Sequence, residues 1–322
     1  MLEQRSNLLT ATLLVLIFTP QLGWAQTVDS RVFTAGKTPW GHPDIQGVWD
    51  RRTITPLERP ERFADKAFLT AEEIIAYEKA SAAREDGKPL DARRTGITVH
   101  DPQDLDYGSS VLATGQTSLV VDPPNGRIPA YTQAAVERAA AEQKLRGSRG
   151  SADSWTDRSL NERCLTWGMP QGMLPQPYNN NIQIVQTANE VMILTEMVHD
   201  VRIIPLDGRP HIPDNITQWH GDARGHWIGE TLVIETTNFS AKSSFRRSGS
   251  NLHLEERYTR IADDRLQYEF TVTDDTTWEQ PWTVSFPMVK GGEPLYEFAC
   301  HEGNYGLENI LRAARHLEKQ QQ

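Results

Sequence analysis

The chain reads as a mainly β protein: an antiparallel up-and-down barrel with a helical insertion and a C-terminal helix. Three observations predict this. From about Arg163 onward, apolar and polar residues alternate with a period of two, the pattern of strands buried on one face. The alternating runs are short and separated by turn residues, which suits consecutive antiparallel neighbours. A meander of many such strands removes its exposed edges by closing on itself.

The first 25 residues read as a secretory signal peptide, with Arg5 as the basic region, Leu8 to Phe18 as the apolar core and Gly23-Trp24-Ala25 at the cleavage site. The apolar run is too short to cross a bilayer comfortably. Residues 26–160 form an N-terminal segment carrying a first barrel strand and a helical excursion, and residues 161–322 form the meander and terminal helix. The two are expected to fold as one unit. Gln46 to Arg51 is the short first strand that completes the closure.

From Pro56 to about Leu160, prolines, charges and helical stretches replace alternation. Thr70-Ala71-Glu72-Glu73 is a capping box opening a helix to about Arg84. A second helix starts at Thr132 and ends before Gly147. Between them, Ser118 to Val121 and Arg127 to Pro129, joined by Asp122-Pro123-Pro124-Asn125-Gly126, read as a hairpin. Strands are then expected near 182–188, 191–199, 201–205, 231–238, 252–261, 265–273, 282–289 and 295–300. Asn189-Glu190 and Asp263-Asp264 supply tight turns, and Asp207-Gly208-Arg209-Pro210 a longer one. Gly306 to about Lys319 is the helix packed outside.

A formal charge of −10 and the lack of a basic patch argue against a nucleic-acid partner, because neutralising phosphates takes clustered Lys and Arg. Once the signal is removed, no membrane partner is expected. A periplasmic or secreted chain meets an oxidising compartment. Its two cysteines, Cys164 and Cys300, then form a disulfide between the start of the barrel segment and its last strand, or remain two buried thiols.

Gly47-Val48-Trp49 on a first strand, a meander, and a terminal helix carrying Arg312 and Arg315 together resemble a lipocalin or wider calycin barrel. The resemblance implies a tryptophan at the barrel floor with a late arginine packed over its indole. Gly225-His226-Trp227 matches the same short motif. From Pro39-Trp40-Gly41 through Cys300-His301-Glu302-Gly303-Asn304, the chain also resembles a widespread family of exported bacterial proteins of unsettled function.

Candidate chemistry gathers at strand ends. His199, His211, His253 and His301 lie near acids or amides, and histidine exchanges protons most easily near neutral pH. Glu196, three positions before His199, and Glu302, next to His301, are the candidate acids. On a strand, Glu196 and His199 point to opposite faces unless a bulge intervenes near Asp200. On 252–258, the apolar row Leu252, Leu254, Glu256 and Tyr258 faces inward by default and His253 outward; a polar reaction chamber would reverse this. Adjacent strand residues point apart, so Cys300 and His301 do not form a thiol–base pair.

Arg163, Tyr178, Asn179, Asn180, Asn304 and Tyr305 are candidate ligand-binding residues. A guanidinium fork suits a carboxylate, and amides offer both donors and an acceptor. Each has a structural alternative: an ion pair to Glu162 or Asp157 for Arg163, loop capping for the asparagines. Eight of the nine tryptophans follow residue 25. With Tyr178, Tyr258, Tyr268 and Tyr296 they supply rings for a flat apolar ligand or simply for a core. No phosphate loop, dinucleotide fingerprint or His-Glu-x-x-His stretch is present, so no cofactor and no metal are expected. A metal gathered by scattered histidines with Glu196 or Glu302 is the alternative that spacing leaves open.

The function expected is that of an exported, cofactor-independent enzyme acting on a small, hydrophobic, aromatic compound. Its His/Glu acid–base chemistry fits a decarboxylase, lyase or isomerase. Phenolic-acid decarboxylases offer an analogy at the level of the fold. The alternative is a non-catalytic periplasmic binding or carrier protein.

Overall fold

The alternation of the second half becomes a ladder of half-buried strands. A computed structural model of the chain describes residues 33–85, 106, 108–292 and 294–320; the expected signal segment lies outside them. The strands are β1 (Gly47–Asp50), β2 (Val120–Asp122), β3 (Asn181–Gln186), β4 (Glu190–Thr195), β5 (Val201–Pro205), β6 (Asp222–Ile228), β7 (Thr231–Thr237), β8 (His253–Ala262), β9 (Arg265–Thr273) and β10 (Trp282–Lys290). The helices among the described residues are α1 (Ala71–Glu85), α2 (Gln133–Arg146) and α3 (Gly306–Gln320).

All pairings are antiparallel, in the order β5-β4-β3-β1-β10-β9-β8-β7-β6. The result is a nearly closed up-and-down barrel. β1 bridges the two arms of the meander, with Trp49 opposite Ile182 of β3 on one side and Lys290 of β10 on the other. This is the closing role expected of Gln46 to Arg51. β5 and β6 lie side by side at the seam without a backbone ladder. There, a Cβ added to Gly225 would meet Ile204 Cγ2 and Leu206 Cδ2, both at 2.8 Å. Side-chain packing over a glycine therefore closes the seam where hydrogen bonds do not.

Burial follows the pleat. On β8, Leu254, Glu256 and Tyr258 are buried while His253, Glu255 and Arg257 are half-exposed, so the apolar row faces inward. Trp49, Trp278, Trp282, Tyr258, Tyr268, Phe270 and Phe286 are among the largest fully buried side chains. Aromatic rings of this size bury roughly 150–250 Å² each. At about 25 cal/mol per Å², each contributes several kcal/mol. Trp49 Nε1 donates to Ile45 O at 3.0 Å.

Both predicted helix starts are formed. Glu73 Oε2 accepts from Thr70 N–H at 2.8 Å, while Thr70 Oγ1 accepts from Glu73 N–H at 3.3 Å. Thr132 Oγ1 accepts from Ala135 N–H, and Gly147, at φ 57°, ends α2. The Cys164–Cys300 disulfide is also formed, with Cα atoms 5.7 Å apart.

Four expectations are corrected. Residues 295–300 form no strand: β10, which they follow, already pairs with β9 on one edge and with β1 and β2 on the other, so neither of its edges is free. Cys300 is held by its disulfide instead. β6 was not expected, because Asp222, Arg224 and Gly225 are poor strand formers and mask its period. The 118–129 hairpin is not made. β1 takes only Val289 and Lys290 of β10, and β2 fills the edge left free at Thr283 and Val284. The arginine over the Trp49 indole is Arg260 of β8, at 5.8 Å, not Arg312 or Arg315. Those two lie on α3, paired with Glu308 and Glu318, and α3 buries no residue.

Candidate functional site

The inward rows carry one polar network among their rings. Glu256 is fully buried and accepts a bidentate pair from Arg202 of β5, with Nη1–Oε1 at 3.0 Å. The hydroxyls of Tyr258 and Tyr268 donate to its Oε1 at 3.1 and 3.0 Å. Arg202 also reaches Thr236 Oγ1 on β7 at 3.3 Å. Burial pulls the Arg202 pKa down, but the Glu256 carboxylate outweighs it and holds the pKa above the usual guanidinium value. Burial, with Glu256 beside them, pushes both tyrosines well above the ordinary phenol range. Both Glu256 oxygens are answered while Arg202 Nε has no partner, and the network ties β5 to β7, β8 and β9. No described histidine is buried, so the interior is not an imidazole-lined chamber.

The proton-active groups converge outside, at the seam. Where β5 and β6 diverge they leave a pocket of about 670 Å³. Leu165, Val201, Ile203 and Trp219, all partly exposed, supply its apolar walls. Thr166, His220, Asp222 and Arg224 supply its polar ones.

Hydrogen bonding orients His220. Asp200 Oδ2 accepts from the Thr166 hydroxyl at 2.9 Å and from Trp167 N–H at 3.2 Å. Thr166 Oγ1 in turn accepts from Gly168 N–H at 2.8 Å and lies 2.6 Å from His220 Nε2. A carboxylate only accepts, so the threonine proton points to Asp200 and Nε2 must carry the hydrogen. His220 Nε2 is also 3.3 Å from Asp200 Oδ2. The remaining ring nitrogen, Nδ1, is the one free to exchange a proton. A carboxylate that fixes one side of an imidazole and leaves the other to act is the arrangement general acid–base catalysis uses.

A second imidazole stands beside the same wall with the opposite polarity. Asp222 Oδ2 accepts from His211 Nδ1–H at 2.8 Å and from Ile212 N–H at 3.2 Å, while its Oδ1 accepts from Arg224 Nη1 at 2.8 Å. Here Nε2 is left over.

The residues singled out in the sequence are dispersed. His211 reaches the pocket wall through Asp222. Glu196 is buried, its Oε2 accepting from the backbone and side-chain N–H groups of Asn181, both at 3.1 Å. β4 ends at Thr195, and Met197–His199 form a short 3-10 turn with Val198 at φ 60° and His199 at φ 48°. That turn replaces the expected end of the 191–199 strand. It exposes His199, whose Nδ1–H donates to Phe298 O at 3.1 Å. Tyr178 stacks on the Phe298 ring at 6.5 Å, and partial burial pushes its hydroxyl pKa up.

His253 is half-buried on the outer face of β8, and His301, Glu302 and Tyr305 are exposed ahead of α3. Asn304 ties Cys300 O to Gly306 N–H. Asn180 is a buried loop staple, bonding both the N–H and the carbonyl of Gln176. Asn179, at φ 52°, turns its carbonyl towards Arg51. The Arg163 guanidinium lies 4.6 Å over the Trp155 ring. Several of these residues thus secure loops and the arm before α3, and none of them lines the seam pocket.

Trp219 was one of the eight tryptophans offered as rings for a flat ligand, but sequence reasoning missed Thr166, Asp200 and His220. It weighed histidines by acids adjacent in sequence, whereas His220 meets an acid twenty positions away. Trp219-His220-Gly221-Asp222 was the available signal: a ring, an imidazole and an acid around a glycine at φ 70°. Among the described residues, no three His, Cys, Asp or Glu side chains converge as metal ligands. Compared with models of known families and with curated proteins, the chain matches none.

Proposed function

We propose that this chain is an exported enzyme with a lipocalin-like barrel that binds a small, partly aromatic compound at its seam and moves protons on it. The reaction types that fit are lyase and isomerase chemistry, a decarboxylation among them. The carrying observation is His220, held through Nε2 by Thr166 and Asp200 on the wall of a pocket that Trp219 and aliphatic side chains also line. The indole and aliphatic groups favour a flat apolar body; Nδ1 of His220 is the proton carrier; His211 stands behind the wall, bonded to its Asp222. The Cys164–Cys300 disulfide supports export, since such bonds persist in oxidising compartments.

The test is turnover and binding on a panel of aromatic acids and lignin-type dimers, with wild type and His220→Asn. Turnover that falls by about 10²–10⁴-fold in the variant while binding survives supports the assignment, that being the usual worth of a positioned acid or base. Saturable binding without turnover identifies a carrier. Neither binding nor turnover overturns both readings.

The arginines at the pocket are already committed. Arg202 and Arg224 on the wall are already paired with Glu256 and Asp222, and Arg209 at its rim with Asp207. The arginines therefore serve the fold before they serve a ligand.

A further inference from the structure

Trp219 and His220 stand in a turn outside any strand or helix, so their place is set by what grips the chain on either side. Before them, Gln218 N–H donates to Asn238 O at 2.9 Å, and Gln218 O accepts from Ser240 N–H at 2.8 Å. After them comes Gly221, at φ 70°, where an added Cβ would meet Thr237 O at 2.5 Å and Thr236 Cγ2 at 2.6 Å. Both grips belong to the end of β7 and the residues that follow it.

One side chain there holds more than the backbone does. Asn238 is 8% exposed and has φ 56°, a left-handed backbone that asparagine adopts more readily than most residues. Its Nδ2 lies within donating distance of three carbonyls: Ile212 O at 3.2 Å, and Pro213 O and Ile216 O at 3.1 Å each. Its Oδ1 accepts from the Thr237 hydroxyl at 2.6 Å. The run from Ile212 to Gln218 thus hangs from one residue and leads straight into Trp219 and His220. Asn238 itself does not line the pocket.

We propose that Asn238 is a positioning residue of the seam site. Its amide fixes the loop so that His220 meets Thr166 and Asp200 through Nε2 and keeps Nδ1 for the ligand. The consequence for turnover rests on the reading of His220 as the proton carrier; the effect on the imidazole does not.

Asn238→Asp isolates this role. It keeps the size and the left-handed backbone, but a carboxylate only accepts, and here it would face three carbonyls. The experiment is imidazole NMR of wild type, Asn238→Asp and His220→Asn, the last identifying the His220 signals by their loss. Wild type is expected to hold His220 as the Nε2–H tautomer, and Asn238→Asp to show a tautomer mixture, with the His253 signals on the outer face of β8 unchanged. On any aromatic compound that wild type turns over, kcat should fall about 10²-fold, the cost of misplacing a reacting group by an ångström. Identical His220 signals in wild type and Asn238→Asp overturn the proposal, whatever happens to stability. Should Asn238→Asp fail to fold, Asn238→Gly, which keeps the backbone and drops the amide, takes its place in the same comparison. A disturbed His220 with undiminished turnover upholds the positioning and overturns the reading of His220 as the proton carrier.

Discussion

The Arg202 guanidinium on β5 and the Glu256 carboxylate on β8 meet across the barrel interior, with Nη1–Oε1 at 3.0 Å, directly behind the one seam that lacks a backbone ladder. The pair joins the β3–β5 arm to the β6–β8 arm through side chains, where hydrogen-bonded strands join the rest. Removing one member leaves the other charge buried and alone. Glu256→Gln is therefore expected to cost about 3–5 kcal/mol, as broken buried pairs do. Arg202→Met with Glu256→Leu is expected to cost less than either single change. Urea denaturation of wild type, Arg202→Met, Glu256→Leu and the double variant closes the cycle.

Gly225 carries the other half of the seam. Valine there drives its side chain into Ile204 and Leu206, already 2.8 Å from the position of a Cβ. Overpacking of this kind costs roughly 1–3 kcal/mol. Hydrogen exchange should quicken in β5 and β6 before it quickens in β9 and β10.

The Cys164–Cys300 disulfide closes a loop with a sequence separation of 136 residues and leads directly into Leu165 and Thr166 of the pocket. Replacing both cysteines with alanine is expected to cost about 2–5 kcal/mol. The same change should loosen residues 294–305, which thermolysin nicking would report, and should weaken ligand binding through the displaced Thr166.

Asp274 predicts an acid response. Burial raises its pKa, but acceptance from Ser248 Oγ, Thr276 Oγ1, Thr277 Oγ1 and Thr276 N–H wins and holds the carboxyl below its usual value of 3.8. The folded state thus favours the carboxylate, so this stabilisation is present above about pH 4 and is lost as the pH falls through the lowered value. Asp274→Asn should be less stable than wild type at pH 7 by about 1.5–3 kcal/mol, the worth of hydrogen bonds to a charged group. The gap should narrow as the pH falls below about 4 in acid-denaturation curves.

The strands that the residue pattern revealed are those with strong alternation, such as β3, β8, β9 and β10. The inward row of β8 was equally readable, because Leu254 and Tyr258 outweigh the single charge of Glu256. The candidate site was much less so. Thr166, Asp200 and His220 are separated by tens of residues, and no local rule associates a threonine after a cysteine with a histidine after a tryptophan. His211 was visible because it lies in a polar turn, but its partner Asp222 was hidden in a strand whose period Gly225 and Arg224 obscure.

Alternation, capping and the cysteine pair are properties of neighbouring residues, so the chain alone determined an antiparallel β meander with capped helices. Which edges stay unladdered, which arginine covers Trp49 and where 295–300 runs were decided only in three dimensions. Each depends on how far the sheet curls before remote side chains collide. Between β5 and β6, which share no ladder, Ile204 and Leu206 pack over Gly225, and the neighbouring Ile203, Pro205 and Arg224 line the pocket.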